Sequence, residues 1–132
     1  MHLLIRYKGL LLILIIGTFL DQATKWWAET HLSFYTPMII WSKRLSFQLV
    51  HNYGAAYGIL QNQRTFLISI SFVVLIGCFI FRKSIAPTKG SQYALAFIYV
   101  GTIGNLIDRI RLGYVIDYID IKLFPVFNIA DV

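Results

Sequence analysis

Long apolar runs and short polar breaks set the frame of the chain. Residues 9–20 are continuously apolar apart from Thr18. A bilayer crossing takes ~20 residues, so this run must extend to about Trp27, which brings Asp21 and Lys25 to membrane depth or to its edge. The two are four apart, share a helix face and can form an ion pair there or mark an exposed helix end. Trp26 and Trp27 suit the aromatic belt at an interface. Basic residues before this run mimic a cleavable leader. No small-residue cleavage site follows, and the run is read as a retained first span over residues 9–27.

The composition then turns mixed as far as Arg64, with His31, Pro37, Lys43 and Arg44. Within it Leu45, Phe47 and Leu49 alternate with Ser46, Gln48 and Val50, a period of two that predicts a strand. HNYGAAYGIL follows, whose small residues permit tight turns and close backbone approach. A strand and turn region is therefore expected over residues 41–60. It can serve as a plain structural turn or as a place where an extended peptide adds by strand pairing. Residues 65–81 form a second apolar run, ended by Arg82 and Lys83. The third begins near Tyr93 and reaches spanning length only at about Gly113, giving a span over 92–113 that carries Asn105, Asp108 and Arg109 into the bilayer. Spacings of three and four let these residues face one side, with Gly101 and Gly104 leaving room for a neighbouring helix. Alternatively, Asp108 and Arg109 or Arg111 neutralise one another at the interface.

At 132 residues and 58% hydrophobic composition, the expectation is a single membrane domain, mainly α, of polytopic transmembrane helices, with the short strand outside the hydrocarbon. The 12 Lys and Arg against 6 Asp and Glu give a net charge of +6, but the basic residues flank apolar runs and form no stripe, which argues against a nucleic-acid partner. Cys78 has no second thiol to pair with, and the histidines are scattered without zinc spacing, so no metal site is expected. Arg6, Lys8, Arg82, Lys83 and Lys89 lie in segments free of acids. This places the N-terminus and the loop after the second span in the cytoplasm, and the acids on the opposite side.

Three of the six acids, Asp117, Asp120 and Asp131, fall in the last twenty residues among Tyr, Ile, Val and Phe. Two aspartates held together in a poorly hydrated place cannot both ionise easily, so one keeps a proton while the other acts as a base. Such a pair can activate water against a peptide carbonyl. Pro125 can bend the chain so that Asp117 meets Asp131; Asp117 with Asp120 is a competing pair.

Five blocks resemble bacterial lipoprotein signal peptidase, also called signal peptidase II, a family of membrane aspartyl proteases. They are DQATK from Asp21, NYGAAYG from Asn52, GNLIDR around Asn105, VIDYI around Asp117 and FNIAD ending at Asp131. The resemblance implies a multi-pass enzyme of the bacterial cytoplasmic (inner) membrane, mainly α, with a small β-sheet and the active site at the extracytoplasmic face. Such enzymes lie among membrane lipid, cleave prolipoproteins before a diacylglyceryl-modified cysteine and use no cofactor. Asp117 and Asp131 then match the catalytic aspartates. Asn52, Asn105, Arg109 and Asn128 match residues that orient the substrate or the aspartates, and Asp21 and Lys25 match the polar positions of the first helix. The family also implies a fourth spanning helix after Asp131, so the sequence is expected to be a piece of a longer chain. The rival expectation is a non-enzymatic or degenerate membrane protein whose acids only neutralise Arg and Lys.

Overall fold

The computed structural model describes residues 2–42 and 44–132; Met1, Lys43 and the side chains of residues 2–7, Arg6 among them, lie outside what is described. Helices cover the three apolar runs: α1 His2–His31, α2 Arg64–Ile85 and α3 Lys89–Arg111. Three strands form one small antiparallel sheet in the order β1 (Met38–Trp41), β2 (Leu45–Asn52), β3 (Val115–Asp120). Short 3-10 turns lie at Ala56–Gly58 and Ile129–Asp131. The protein is thus mainly helical. Two of its helices, Lys8–His31 and Arg64–Ile85, are long and apolar enough to cross a membrane. Asn105, Asp108, Arg109 and Arg111 make α3 more polar, and it is packed against both α1 and α2.

The ends of α3 are set by local chemistry. Thr88 and Ser91 form a reciprocal capping box, with Ser91 N donating to Thr88 Oγ1 at 3.1 Å and Thr88 N to Ser91 Oγ at 3.0 Å. At the other end Gly113 takes φ +90°, the left-handed conformation that stops helices without a Cβ penalty. Arg64, in the first turn of α2, donates to the carbonyls of Arg109 and Ile110, both at 2.8 Å. The last carbonyls of a helix lack donors from the helix itself, so Arg64 ties two helix ends together.

Beside the C-terminal end of α1 the sheet makes its own core from Ala28, Leu49, Ile116 and Tyr118. Trp27 belongs to that core, meeting Phe47 edge-on with ring centres 5.9 Å apart, rather than to the interfacial belt expected for it. Only Trp26 of the pair is well exposed. His51 also joins the sheet to α1. It stacks on Tyr114 at 3.8 Å, and its Nε2 lies 3.1 Å from a Glu29 oxygen that also accepts from the Tyr114 hydroxyl at 3.0 Å. Burial and this bond to Glu29 push the Tyr114 hydroxyl up to about 12, which keeps it a donor.

Two expectations for the strand need correction. The period of two breaks because a bulge separates Phe47 from Val50, so Ser46 and Leu49 are the buried residues of β2. Strand addition of a peptide is also excluded at Ser46 and Phe47, where β2 is paired on both edges. β2 is the central strand, with β3 along one edge and β1 along residues 45–47 of the other.

Candidate active site

β3 carries Asp117 opposite Val50 and Val115 opposite Asn52, so the last residue of β2 comes alongside the aspartate. Asn52 Nδ2 donates to Asp117 Oδ2 at 3.0 Å while its Oδ1 accepts the Gly54 N–H at 2.9 Å, which fixes the way the amide faces. The turn after Asn52 needs its small residues. A Cβ at Gly54 would lie 2.5 Å from the Ile59 carbonyl oxygen, and Tyr57 and Gly58 both take positive φ.

After β3 the chain reverses. Lys122 N donates to Asp120 Oδ1 at 2.9 Å, Lys122 adopts φ +65°, and Phe127 returns to form an antiparallel bridge with Ile119. Burial alone would raise the Asp120 carboxyl; the ammonium and N–H of Lys122 win and hold it below the usual range. Asp120 is thus occupied in the turn. The competing pair of Asp117 with Asp120 is not formed.

The reversal delivers Asn128 and Asp131. Asn128 is fully buried and caps the terminal turn, with its Oδ1 accepting Ala130 N–H at 2.8 Å and its own N–H donating to Asp131 Oδ2 at 3.1 Å. Its Nδ2 donates to Asp117 Oδ1 at 2.7 Å and to Asn105 Oδ1 at 3.1 Å. Asn105 Nδ2 in turn donates to Asp131 Oδ1 at 2.8 Å. One asparagine therefore holds both carboxyls, and a second braces the outer one. Asp117 is 2% exposed, whereas Asp131 stands open. Burial, helped by the neighbouring charge of Asp131 and opposed by the two asparagine amides, pushes Asp117 up to about 6.

Behind Asn105 lies a buried ion cluster. Lys25 Nζ sits 3.0 Å from Asp21 Oδ2, 2.8 Å from Asp108 Oδ2 and 3.0 Å from Asn105 Oδ1, which uses all three of its donors. Both alternatives drawn from spacing fall away here: Asp21 and Lys25 are not an exposed pair, and Asp108 is neutralised by Lys25 instead of by Arg109 or Arg111. Gln22 was missed although it lies inside the DQATK block. Its Nε2 reaches Asp108 Oδ1 at 3.0 Å and the Gly104 carbonyl at 3.2 Å. Arg109 Nη2 donates to the Gly54 carbonyl at 3.1 Å, linking α3 to the turn after β2.

Asp117, Asp131, Asn52, Asn105 and Arg109 line one cleft of about 610 Å³, together with Tyr57 and the Ile121–Phe127 return loop. The glycines of α3 let the site close. A Cβ at Gly104 would fall 2.3 Å from Asp21 Oδ2, and one at Gly101 would fall 2.3 Å from the Ala130 carbonyl oxygen. Gly101→Ala must therefore push the turn that bears Asp131 off α3. Displacing a reacting group by ~1 Å costs on the order of 10²-fold in rate. The expected result is that loss in kcat with an unchanged unfolding temperature, measured by turnover and thermal melting; unimpaired turnover would mean the turn is not seated as seen.

The sequence model of the family described as signal peptidase (SPase) II matches residues 13–132. The chain is 40% identical over 129 residues to a lipoprotein signal peptidase of Clostridium tetani, covering 92% of this chain and 82% of that one. To the protein of the same name from Caldanaerobacter subterraneus it is 43% identical over 122 residues, covering 92% and 84%. A bacterial membrane enzyme solved by the in meso method at 2.3 Å resolution superposes with a TM-score of 0.86 at 32% identity, covering 94% of this chain and 79% of that one. A second such structure, at 1.9 Å, gives 0.82 at 32% identity, covering 94% and 83%.

Proposed function

This chain belongs to the signal peptidase II family, and on that premise we propose that Asp117 and Asp131 are its catalytic pair, cutting the signal peptide from lipoprotein precursors. The protein is a membrane peptidase. The observation that carries the assignment of the pair is Asn128, whose side-chain and backbone N–H groups hold the two carboxyls at the mouth of one cleft. The rest of the acids are otherwise engaged. Asp21 and Asp108 face Lys25, Asp120 faces Lys122, and Glu29 bonds His51 and Tyr114. Neutralisation of Arg and Lys thus accounts for three of the six acids, and Glu29 is held by a histidine and a tyrosine. That leaves Asp117 and Asp131, which have amide partners.

In the proposed reaction Asp131 takes a proton from water as its oxygen attacks the scissile carbonyl carbon, and Asp117 gives its proton to the developing oxyanion. The tetrahedral intermediate then collapses: Asp117 takes back the hydroxyl proton as the carbonyl re-forms, the C–N bond breaks, and the leaving nitrogen takes its proton from Asp131. The buried setting of Asp117 supports its role as the acid, since it holds a proton better than an exposed carboxyl does. Asn52, Asn105 and Asn128 keep the pair in place. Arg109 lines the cleft beside it and is suited to bind a substrate carbonyl.

The finer reading places all three helices across the bacterial cytoplasmic membrane. The N-terminus is then in the cytoplasm, and the sheet and cleft are at the outer face, where the substrate's diacylglyceryl group stays among lipid. Support for the third crossing comes from α3 itself. Its 23 residues rise ~35 Å, and its polar residues turn inward on Lys25, Gln22 and Gly54. The test is direct. Purified protein incubated with a precursor peptide carrying a diacylglyceryl cysteine should release the signal peptide, while the same peptide with an unmodified cysteine should remain whole. Equal cleavage of both would sink the substrate assignment.

A further inference from the structure

A second cleft, of about 740 Å³, lies at the opposite end of the helices from the aspartates. Lys8 of α1 and Arg82 and Lys83 in the last turn of α2 stand on it, and its walls include Leu11, Leu14, Phe79 and Leu95. No acid lines it. Along α1, Lys8 and Lys25 are seventeen residues apart, which separates this cleft from the catalytic network by ~25 Å. On α3 the cleft uses Gln92, Leu95, Ala96 and Tyr99, a different face from the one carrying Gly101, Asn105 and Arg109.

Two details point to a ligand. The Arg82 guanidinium lies 4.5 Å over the Phe79 ring and donates to the Phe79 carbonyl at 2.7 Å, which directs it along the cleft wall while leaving N–H groups to spare. Tyr99 also lines the cleft, and its hydroxyl is buried with no hydrogen-bond partner among the described residues. A buried hydroxyl without a partner is a standing cost that an acceptor entering the cleft removes. Three cations on an apolar trough that also holds an unpartnered hydroxyl match a phosphate joined through ester oxygens to an acyl chain. A zwitterionic headgroup fits worse, because its own cation meets three more.

We propose that this cleft binds one anionic phospholipid, with its phosphate on Lys8, Arg82 and Lys83, an ester oxygen on the Tyr99 hydroxyl and an acyl chain along Leu11, Leu14, Phe79 and Leu95. The inference rests on the reading that the helices cross a membrane. It does not depend on the catalytic pair.

The experiment is native mass spectrometry of the whole protein released from nanodiscs of equal phosphatidylglycerol and phosphatidylcholine. One phosphatidylglycerol should be retained in about tenfold preference, in keeping with several cations near one headgroup. The combined variant Lys8→Gln, Arg82→Gln, Lys83→Gln should lose the preference. So should Leu11→Trp, which fills the trough from an exposed position and leaves every charge in place. A preference that survives Leu11→Trp would overturn the proposal, because the cations would then be acting as a general surface attraction. Equal retention of both lipids by the unaltered protein would overturn it too. Retention of neither lipid would overturn it as well, and a parallel cleavage assay reports on the aspartate pair independently.

Discussion

Asp117→Asn is expected to abolish cleavage of a diacylglyceryl-modified precursor, with kcat down by at least about 10³-fold while the precursor still binds. An amide can neither hold nor release the proton that the oxyanion needs, and general acid–base help alone is worth on the order of 10²–10⁴-fold. The geometry is otherwise well kept. Asn128 Nδ2 still finds a side-chain oxygen at the place where it now meets Asp117 Oδ1 at 2.7 Å, so the loss would report chemistry rather than collapse. Single-turnover cleavage with a separate measurement of precursor binding distinguishes the two. Asp131→Asn should behave alike in kcat; turnover within tenfold of the unaltered protein in either variant would end the case for the pair.

The same Asp117→Asn substitution should make the protein more stable at neutral pH. Folding raises Asp117 from the 3.8 of a free carboxyl to about 6, mainly by burial. The folded state therefore binds the proton more tightly than the unfolded chain. This contribution is fully present below pH ~4 and is lost as the pH rises through ~6, amounting to about 3 kcal/mol between those limits. Against that gain, the amide introduced by the substitution would face the Asn52 amide and forfeit a hydrogen bond worth about 1 kcal/mol. The net is a gain of roughly 2 kcal/mol above pH 7. Melting in detergent should show the unaltered protein losing stability from about pH 4 to 6.5 and the variant holding level. A site that costs stability where it works is consistent with a catalytic carboxyl.

Much of this site could be read from residue types, because burying acids among apolar residues demands a reason wherever it occurs. The runs that became α1, α2 and α3 were equally legible, since apolar length is a one-dimensional signal. What the sequence hid were relations set by the third dimension. Alternation in β2 gave no warning of the bulge between Phe47 and Val50, which depends on the pairing with β3. Trp27 looked like its neighbour Trp26, yet the sheet folds over only one of them. Gln22 and Arg64 carry no motif by themselves. Their roles arise from where α3 happens to present the Asp108 carboxylate and its last carbonyls. Asp108 itself was given several partners by spacing, and the partner it has is on another helix.

Lys25→Met should cost about 3–5 kcal/mol of stability, the usual penalty for removing one partner of a buried ion pair. The residue is 1% exposed and Asp21 and Asp108 are equally buried, so no water stands ready to replace the ammonium. Its loss leaves Asp21 and Asp108 facing each other. Asp108 keeps bonds from Gln22 at 3.0 Å and from Ile116 N–H at 3.2 Å, whereas Asp21 keeps only a Gln22 bond to Oδ2 at 3.2 Å, its Oδ1 having no partner among the described residues. Asp21→Asn added to Lys25→Met should therefore recover part of the stability by removing the worse-served charge. It should not recover cleavage. Lys25 also donates to Asn105 Oδ1, and that bond fixes the Asn105 amide so that its Nδ2 points at Asp131. Without Lys25 only the Asn128 Nδ2 bond to that oxygen is left to hold the amide, and Asp131 is braced less firmly by one of its two N–H donors. The pattern expected from melting and turnover together is a double variant that is more stable than Lys25→Met yet equally slow. If turnover instead rises in step with stability, the cluster serves only to hold the helices together, and the orientation of Asp131 is set by Asn128 alone.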